Sequence, residues 1–120
     1  MPKTLTKRRL KTVVTDKAAA HLRAFRREAE RALPGKITSV ILFGSRARGD
    51  ARRDSDYDIA VVIRSLGDRR AIDHTLADVA YPHILAGFHI RPVAIPAEFL
   101  KLSSRSSLAA ELLRDGVIVA

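Results

Sequence analysis

A glycine–serine pair, Gly44-Ser45, is followed after ten intervening residues by Asp56 and Asp58, which are separated by a single residue. In extended chain, residues two apart project from the same side, so Asp56 and Asp58 point together and Tyr57 points away. Carboxylates held that close repel one another unless a cation or a proton sits between them. A hard divalent ion relieves the conflict, and Mg²⁺ characteristically takes one or two carboxylates and completes its shell with water and substrate phosphates. Gly44 and Ser45 supply the complementary half of such a site. Glycine lets a phosphate approach the backbone, the following amides donate to its oxygens, and the Ser45 hydroxyl adds another donor. Arg46 and Arg48 share this turn and can neutralise charge on a triphosphate or a leaving pyrophosphate, with Arg46 the better placed. Metal on Asp56 and Asp58, and nucleotide on Gly44, Ser45 and Arg46, describe phosphoryl or nucleotidyl transfer, in which catalysis is mostly positioning and electrostatics. Arg52 and Arg53 read as soluble loop, and Asp50, Asp54 and Ser55 as local turn and cap residues.

These residues need two strands to position them. Ile37 to Phe43 is apolar, β-branched and of strand length, and it runs directly into Gly44. Tyr57 to Ile63 is almost continuously apolar beyond Asp58, as in a strand covered on both faces, and it belongs in the middle of a sheet. Ahead of them, Thr15 or Asp16 can cap a helix whose apolar positions are Ala18, Leu22, Phe25, Ala29 and Leu33, ended by Pro34-Gly35. Behind them, Gly67-Asp68 precedes a second helix carrying Ile72, Leu76, Val79, Ala80 and His83, with Pro82 obscuring its end. Phe88 to Ile95 reads as a third strand, and Pro92 requires it to lie at an edge or to bulge. A helical turn after Pro96, a helix with Leu108, Leu112 and Leu113 capped by Gly116, and a short strand at Val117 to Val119 complete the pattern. The expectation is one α/β (α+β) domain with a small mixed sheet flanked by helices.

Composition narrows the function classes. Apolar residues make up 47% and charged residues 29%, which predicts a folded domain rather than disorder. No apolar run approaches a membrane span and the N-terminus lacks the apolar core of a secretory signal, so a cytoplasmic location without membrane contact is expected. Cysteine is absent, which removes thiolate catalysis and zinc–thiolate sites and leaves oxygen or imidazole as metal ligands. The net charge is +9, and Lys3, Lys7, Arg8, Arg9 and Lys11 crowd the first eleven residues. Such a field attracts polyanions, so RNA, a nucleotide or an acidic protein is one reading of this arm and a solvated tail is the other. Residues 1–14 are therefore set apart as a basic N-terminal arm from a domain over 15–120.

The segment ILFGSRARGDARRDSDYDIAVVI, Ile41 to Ile63, resembles the signature of the DNA-polymerase-β-type nucleotidyltransferase superfamily, and its minimal MNT-type branch in particular. The resemblance in element order runs from about residue 15 to 119. It implies the polymerase-β-like nucleotidyltransferase fold, with Mg²⁺ and ATP held by the Gly44-Ser45 turn and the catalytic pair Asp56 and Asp58. It also implies transfer of AMP to a hydroxyl. Some members of that branch act as antitoxins, adding AMP to a tyrosine of a HEPN-type ribonuclease toxin, so a HEPN-type protein partner is the implied acceptor. Many relatives place a third carboxylate on the following strand. Here Phe88 to Ile95 contains none, and His89 is the remaining candidate base. The alternative is a non-catalytic domain of the same fold that neutralises or scaffolds a partner by contact.

Overall fold

The computed structural model describes residues 8–120, with residues 102–105 described by their backbone alone. The elements are α1 (Leu10–Val13), α2 (Asp16–Ala32), β1 (Ile37–Phe43), α3 (Ser45–Arg48), β2 (Tyr57–Ile63), α4 (Arg69–Leu85), β3 (Ile90–Pro96), a 3-10 stretch (Ala97–Arg105), α5 (Ser107–Asp115) and β4 (Val117–Ile118). The sheet is mixed and ordered β3-β2-β1-β4. β1 runs antiparallel to both β2 and β4, whereas β2 and β3 are parallel because α4 carries the chain back across one face. This is the small α/β single-domain arrangement that the pattern of apolar residues predicts.

Strand parity divides the core into two layers. Val40 and Leu42 of β1 and Tyr57, Ile59, Val61 and Ile63 of β2 face α2 and α4, meeting Leu22, Phe25 and Leu76. Ile41, Ala60, Val62 and Ile95 face the other way, toward Leu112 of α5 and Phe99 and Leu100 of the 3-10 stretch. Asp58 shares parity with Ala60 and Val62. The second layer is therefore the one whose open end carries the carboxylates.

Several boundaries differ from the sequence reading, each for a local reason. Thr15 caps α2 as expected, its hydroxyl accepting from Ala18 N at 3.1 Å. Pro82 does not end α4, which continues to Leu85. Pro82 is on the exposed side, so the carbonyl it leaves without an amide can turn to water. The third strand begins at Ile90, because Phe88 N still bonds back to His83 O and the Phe88 ring stacks on His21 with centroids 4.3 Å apart. Pro92 lies on the edge strand, where a missing N–H is tolerated. Gly116 follows α5 as its cap, but with φ −63 and not in the left-handed conformation.

The basic segment joins the body from Arg8 onward. Leu10 is buried in the helical layer, and the Arg8 guanidinium donates to Ala47 O at 2.7 Å and to Asp115 O at 2.6 Å, bridging α3 and the end of α5. Lys3 and Lys7 lie outside the described residues. Among the described residues no helix is long and apolar enough to cross a membrane.

Candidate functional site

β1 delivers its chain end beside the start of β2, with Phe43 paired to Asp58. The next residue, Gly44, has φ 77 and ψ −158, a region that essentially only glycine occupies. A second constraint acts on the same residue. A Cβ at Gly44 would lie 2.5 Å from Asp58 Oδ2. The glycine is thus required by its own backbone, and a side chain there would also displace the carboxylate opposite. From Gly44 the chain enters the single turn α3, whose Ala47 and Arg48 amides bond to Gly44 O at 3.1 Å. The leading amides, Ser45 and Arg46, have no intrahelical acceptor, as at any helix start. The Ser45 hydroxyl has no hydrogen-bond partner among the described residues.

Asp56 and Asp58 project from one side of β2, and a single guanidinium reaches both. Arg91 occupies the β3 position directly across from Asp58 in the parallel register. Its Nε and Nη2 each lie 2.8 Å from Asp58 Oδ1, and its Nη1 is 3.5 Å from Asp56 Oδ2. The hydrogen bond to Asp58, then the charge of Asp58 and, more weakly, that of Asp56, hold Arg91 still more firmly in its charged form against a small desolvation effect. A cation between the two carboxylates is thus a feature of the fold, and the cation here is the protein's own.

The donor set suits Mg²⁺ only in its substrate-assisted form. Two carboxylates are enough when nucleotide phosphates and water fill the remaining positions. Among the described residues no group of three His, Cys, Asp or Glu side chains gathers to hold a metal by itself.

Arg46 reaches the loop that leads into β2. Its Nε and Nη2 donate to Ser55 O at 3.3 and 2.9 Å, Nη2 donates also to Arg53 O at 3.1 Å, and the guanidinium lies 4.3 Å above the Tyr57 ring. Tyr57 faces the helical layer, away from the carboxylates. Arg46 therefore binds the loop before Asp56 to the body through its Nε and Nη2, fixing the entry of β2. Arg48 is engaged with Asp50 and with Glu111 of α5, at 3.3 and 3.0 Å. His89 is exposed and makes no ion pair with either aspartate among the described residues. It lines a cleft of about 110 Å³ with Arg46, Ser55 and Tyr57, and its carbonyl accepts from Tyr57 N at 2.9 Å.

Comparison with known proteins fits this arrangement. A family model described as a nucleotidyltransferase domain matches residues 22–110, which include the Gly44-Ser45 turn, both aspartates and β3. The chain belongs to the nucleotidyltransferase family. It is also 35% identical over 85 residues to a protein of Methanocaldococcus jannaschii that carries the provisional name of protein adenylyltransferase. That match takes in 69% of this chain and 58% of the relative, so the chain spans little more than half the length of the curated protein it matches.

Two features escaped the sequence reading. In sequence Arg91 is only one position of a strand without acids, and the signal that could have found it is parallel register, which sets β3 beside β2 with Arg91 opposite Asp58. The second is a polar chain between α2 and α4. Buried His83 lies with Nε2 2.8 Å from Glu28 Oε1 and Nδ1 2.9 Å from His21 Nδ1. Desolvation, followed by the charges of His83 and Lys17, lowers the pKa of His21 below its ordinary value, with Glu28 opposing. A histidine on the buried face of one helix and a His/Glu pair on its neighbour would have been the clue.

Proposed function

We propose that this nucleotidyltransferase-family domain transfers AMP from ATP, with Mg²⁺, to a hydroxyl of a partner protein. The observation that supports it best is the joint placement of the Gly44-Ser45 turn against Asp58, with Asp56 on the same side of the strand. The name of the archaeal relative and the MNT-type motif favour protein adenylylation, and a HEPN-type toxin is the acceptor that the motif suggests. In this reading Asp56 and Asp58 hold the metal, and the amides and hydroxyl after Gly44 take the phosphates. Magnesium bound there supplies charge neutralisation and polarises the phosphate under attack. The acceptor oxygen forms a bond to the α-phosphorus, the bond from that phosphorus to the bridging oxygen breaks, and pyrophosphate leaves. The acceptor proton goes to water, since no third carboxylate stands on β3. Arg46 acts indirectly, by holding the loop that presents Asp56.

A second reading has an observation of its own. Arg91 stands opposite Asp58 on the strand where relatives with the full motif carry an acid, which favours a domain that neutralises a partner by contact alone. The two readings part in one experiment. A HEPN-type protein, the acceptor that the motif suggests, is incubated with the protein, Mg²⁺ and α-labelled ATP, then separated under denaturing conditions. Transfer leaves label and one AMP of added mass on the acceptor, and Asp58→Asn abolishes both. An unlabelled acceptor that is nonetheless silenced by wild type and Asp58→Asn alike would establish the contact reading.

A further inference from the structure

We propose that Arg91 is a built-in counter-cation that competes with the divalent metal for Asp56 and Asp58, so that metal enters the site only in company with a nucleotide. The inference rests on the metal–nucleotide reading of this pair and specifies how the pair is regulated. The oxygens are divided in a definite way. Asp58 Oδ2 faces Gly44, where an added Cβ would meet it at 2.5 Å, and Asp58 Oδ1 and Asp56 Oδ2 turn to the guanidinium. Those two oxygens are the ones a single cation between the carboxylates would use. Arg91 therefore satisfies the charge repulsion that otherwise draws a metal to the pair.

Its exposure makes the arrangement reversible. The Arg91 side chain is 68% exposed, while those of Asp58 and Asp56 are 17% and 39% exposed. The arginine stands on the edge strand β3, so it can turn outward without disturbing the core. An exposed ion pair is weakly held against water, whereas a nucleotide-borne metal brings phosphates that complete its shell and a new partner for the guanidinium. Released Arg91 then stands beside the triphosphate, where a planar fork pairs readily with phosphate oxygens. Nucleotide and metal affinities are coupled through this one side chain, and the coupling is reciprocal. A free metal ion offers no such replacement partner, and it is disfavoured.

Mn²⁺ binding, read from the loss of the free-ion electron paramagnetic resonance signal and independent of turnover, tests this. Wild type, Arg91→Gln and Arg91→Gln/Asp58→Asn are titrated with Mn²⁺ alone, and then with Mn²⁺ and a non-hydrolysable ATP analogue. The account expects Arg91→Gln to bind Mn²⁺ alone at least about tenfold more tightly than wild type, roughly 1.4 kcal/mol by the usual conversion. It also expects the double variant to lose that gain, and the nucleotide-dependent enhancement to shrink in Arg91→Gln. Arg91→Lys, which keeps the charge without the fork, should fall between the two. Equal Mn²⁺ affinity in wild type and Arg91→Gln, with wild type still binding the metal–nucleotide complex, overturns the counter-cation and leaves the metal–nucleotide reading standing. Absence of metal–nucleotide binding in all variants overturns both.

Discussion

Gly44→Ala perturbs backbone strain and carboxylate placement together, because both are anchored at one residue, and Gly49→Ala perturbs strain alone. The conformation at φ 77 and ψ −158 costs a residue with a side chain about 1–3 kcal/mol. The new methyl would also lie 2.5 Å from Asp58 Oδ2, far inside contact distance. Asp58 Oδ2 is the end of a side chain whose other oxygen pairs with Arg91 at 2.8 Å, so it can yield by giving up that pair. Either the carboxylate rotates off Arg91 or the turn opens. Taking about 2 kcal/mol, and an unfolding entropy of roughly 2.1 cal/mol/K per residue, Tm should fall by about 8 °C for 120 residues. Gly49→Ala is the control. Gly49 is also left-handed, at φ 87, but nothing lies within 4 Å of the site of its missing Cβ. It should lose about 1 kcal/mol, or about 4 °C, with Mg²⁺-ATP affinity intact. Calorimetric melting gives the stabilities and a Mg²⁺-ATP titration gives the affinities. A Gly44→Ala protein that melts within about 1 °C of wild type and binds Mg²⁺-ATP equally well would show that neither strain nor carboxylate contact acts at this position.

The loop and the helical layer give two further tests. Arg46→Lys removes the fork that holds the Arg53 and Ser55 carbonyls and the stacking on Tyr57, so about 1 kcal/mol of stability should be lost and amide exchange should quicken from Ser55 to Asp58; unchanged exchange would contradict the loop-holding role. His21 has its pKa lowered by desolvation and by facing His83 and Lys17, against the pull of Glu28, so the unfolded chain takes up a proton at about pH 6.5 while the folded chain does not until lower pH. Stability contributed by His21 is therefore present above that value and lost as pH falls below it, toward the lowered folded pKa. Urea midpoints between pH 7.5 and 5.5 (both about one unit from the imidazole value) should fall more steeply in wild type than in His21→Gln, and equal slopes would count against it.

The sheet was legible because its physics is local. Ile37 to Phe43 and Tyr57 to Ile63 are apolar runs of strand length bounded by Gly44 and by the acidic loop, and a proline at position 92 belongs at an edge. The Gly44-Ser45 and Asp56/Asp58 constellation was legible for a related reason, since strand periodicity sets two carboxylates on one side. What the sequence concealed depends on partners distant in the chain. Arg91 meets Asp58 across 33 residues, and only the pairing of β3 with β2 brings them together. Arg46 shows nothing in sequence of its hold on the loop, because the Ser55 carbonyl and the Tyr57 ring come within its reach only once the loop closes. Arg8 looks like part of a solvated arm until Ala47 and Asp115 present carbonyls to it. Pro82 misleads in the opposite direction, because an exposed helix face can tolerate the bond it removes.

In the proposed function Asp58, set against Gly44 and beside Asp56, holds a metal–nucleotide complex. Calorimetric titration of ATP into wild type and Asp58→Asn, each in Mg²⁺ and in EDTA, tests it most directly. The substitution keeps the side chain's shape and removes one ligand charge, so the fold should persist. Binding to wild type should require Mg²⁺, and binding to Asp58→Asn should be at least about tenfold weaker. ATP binding of equal strength in EDTA, or in Asp58→Asn with Mg²⁺, would contradict it.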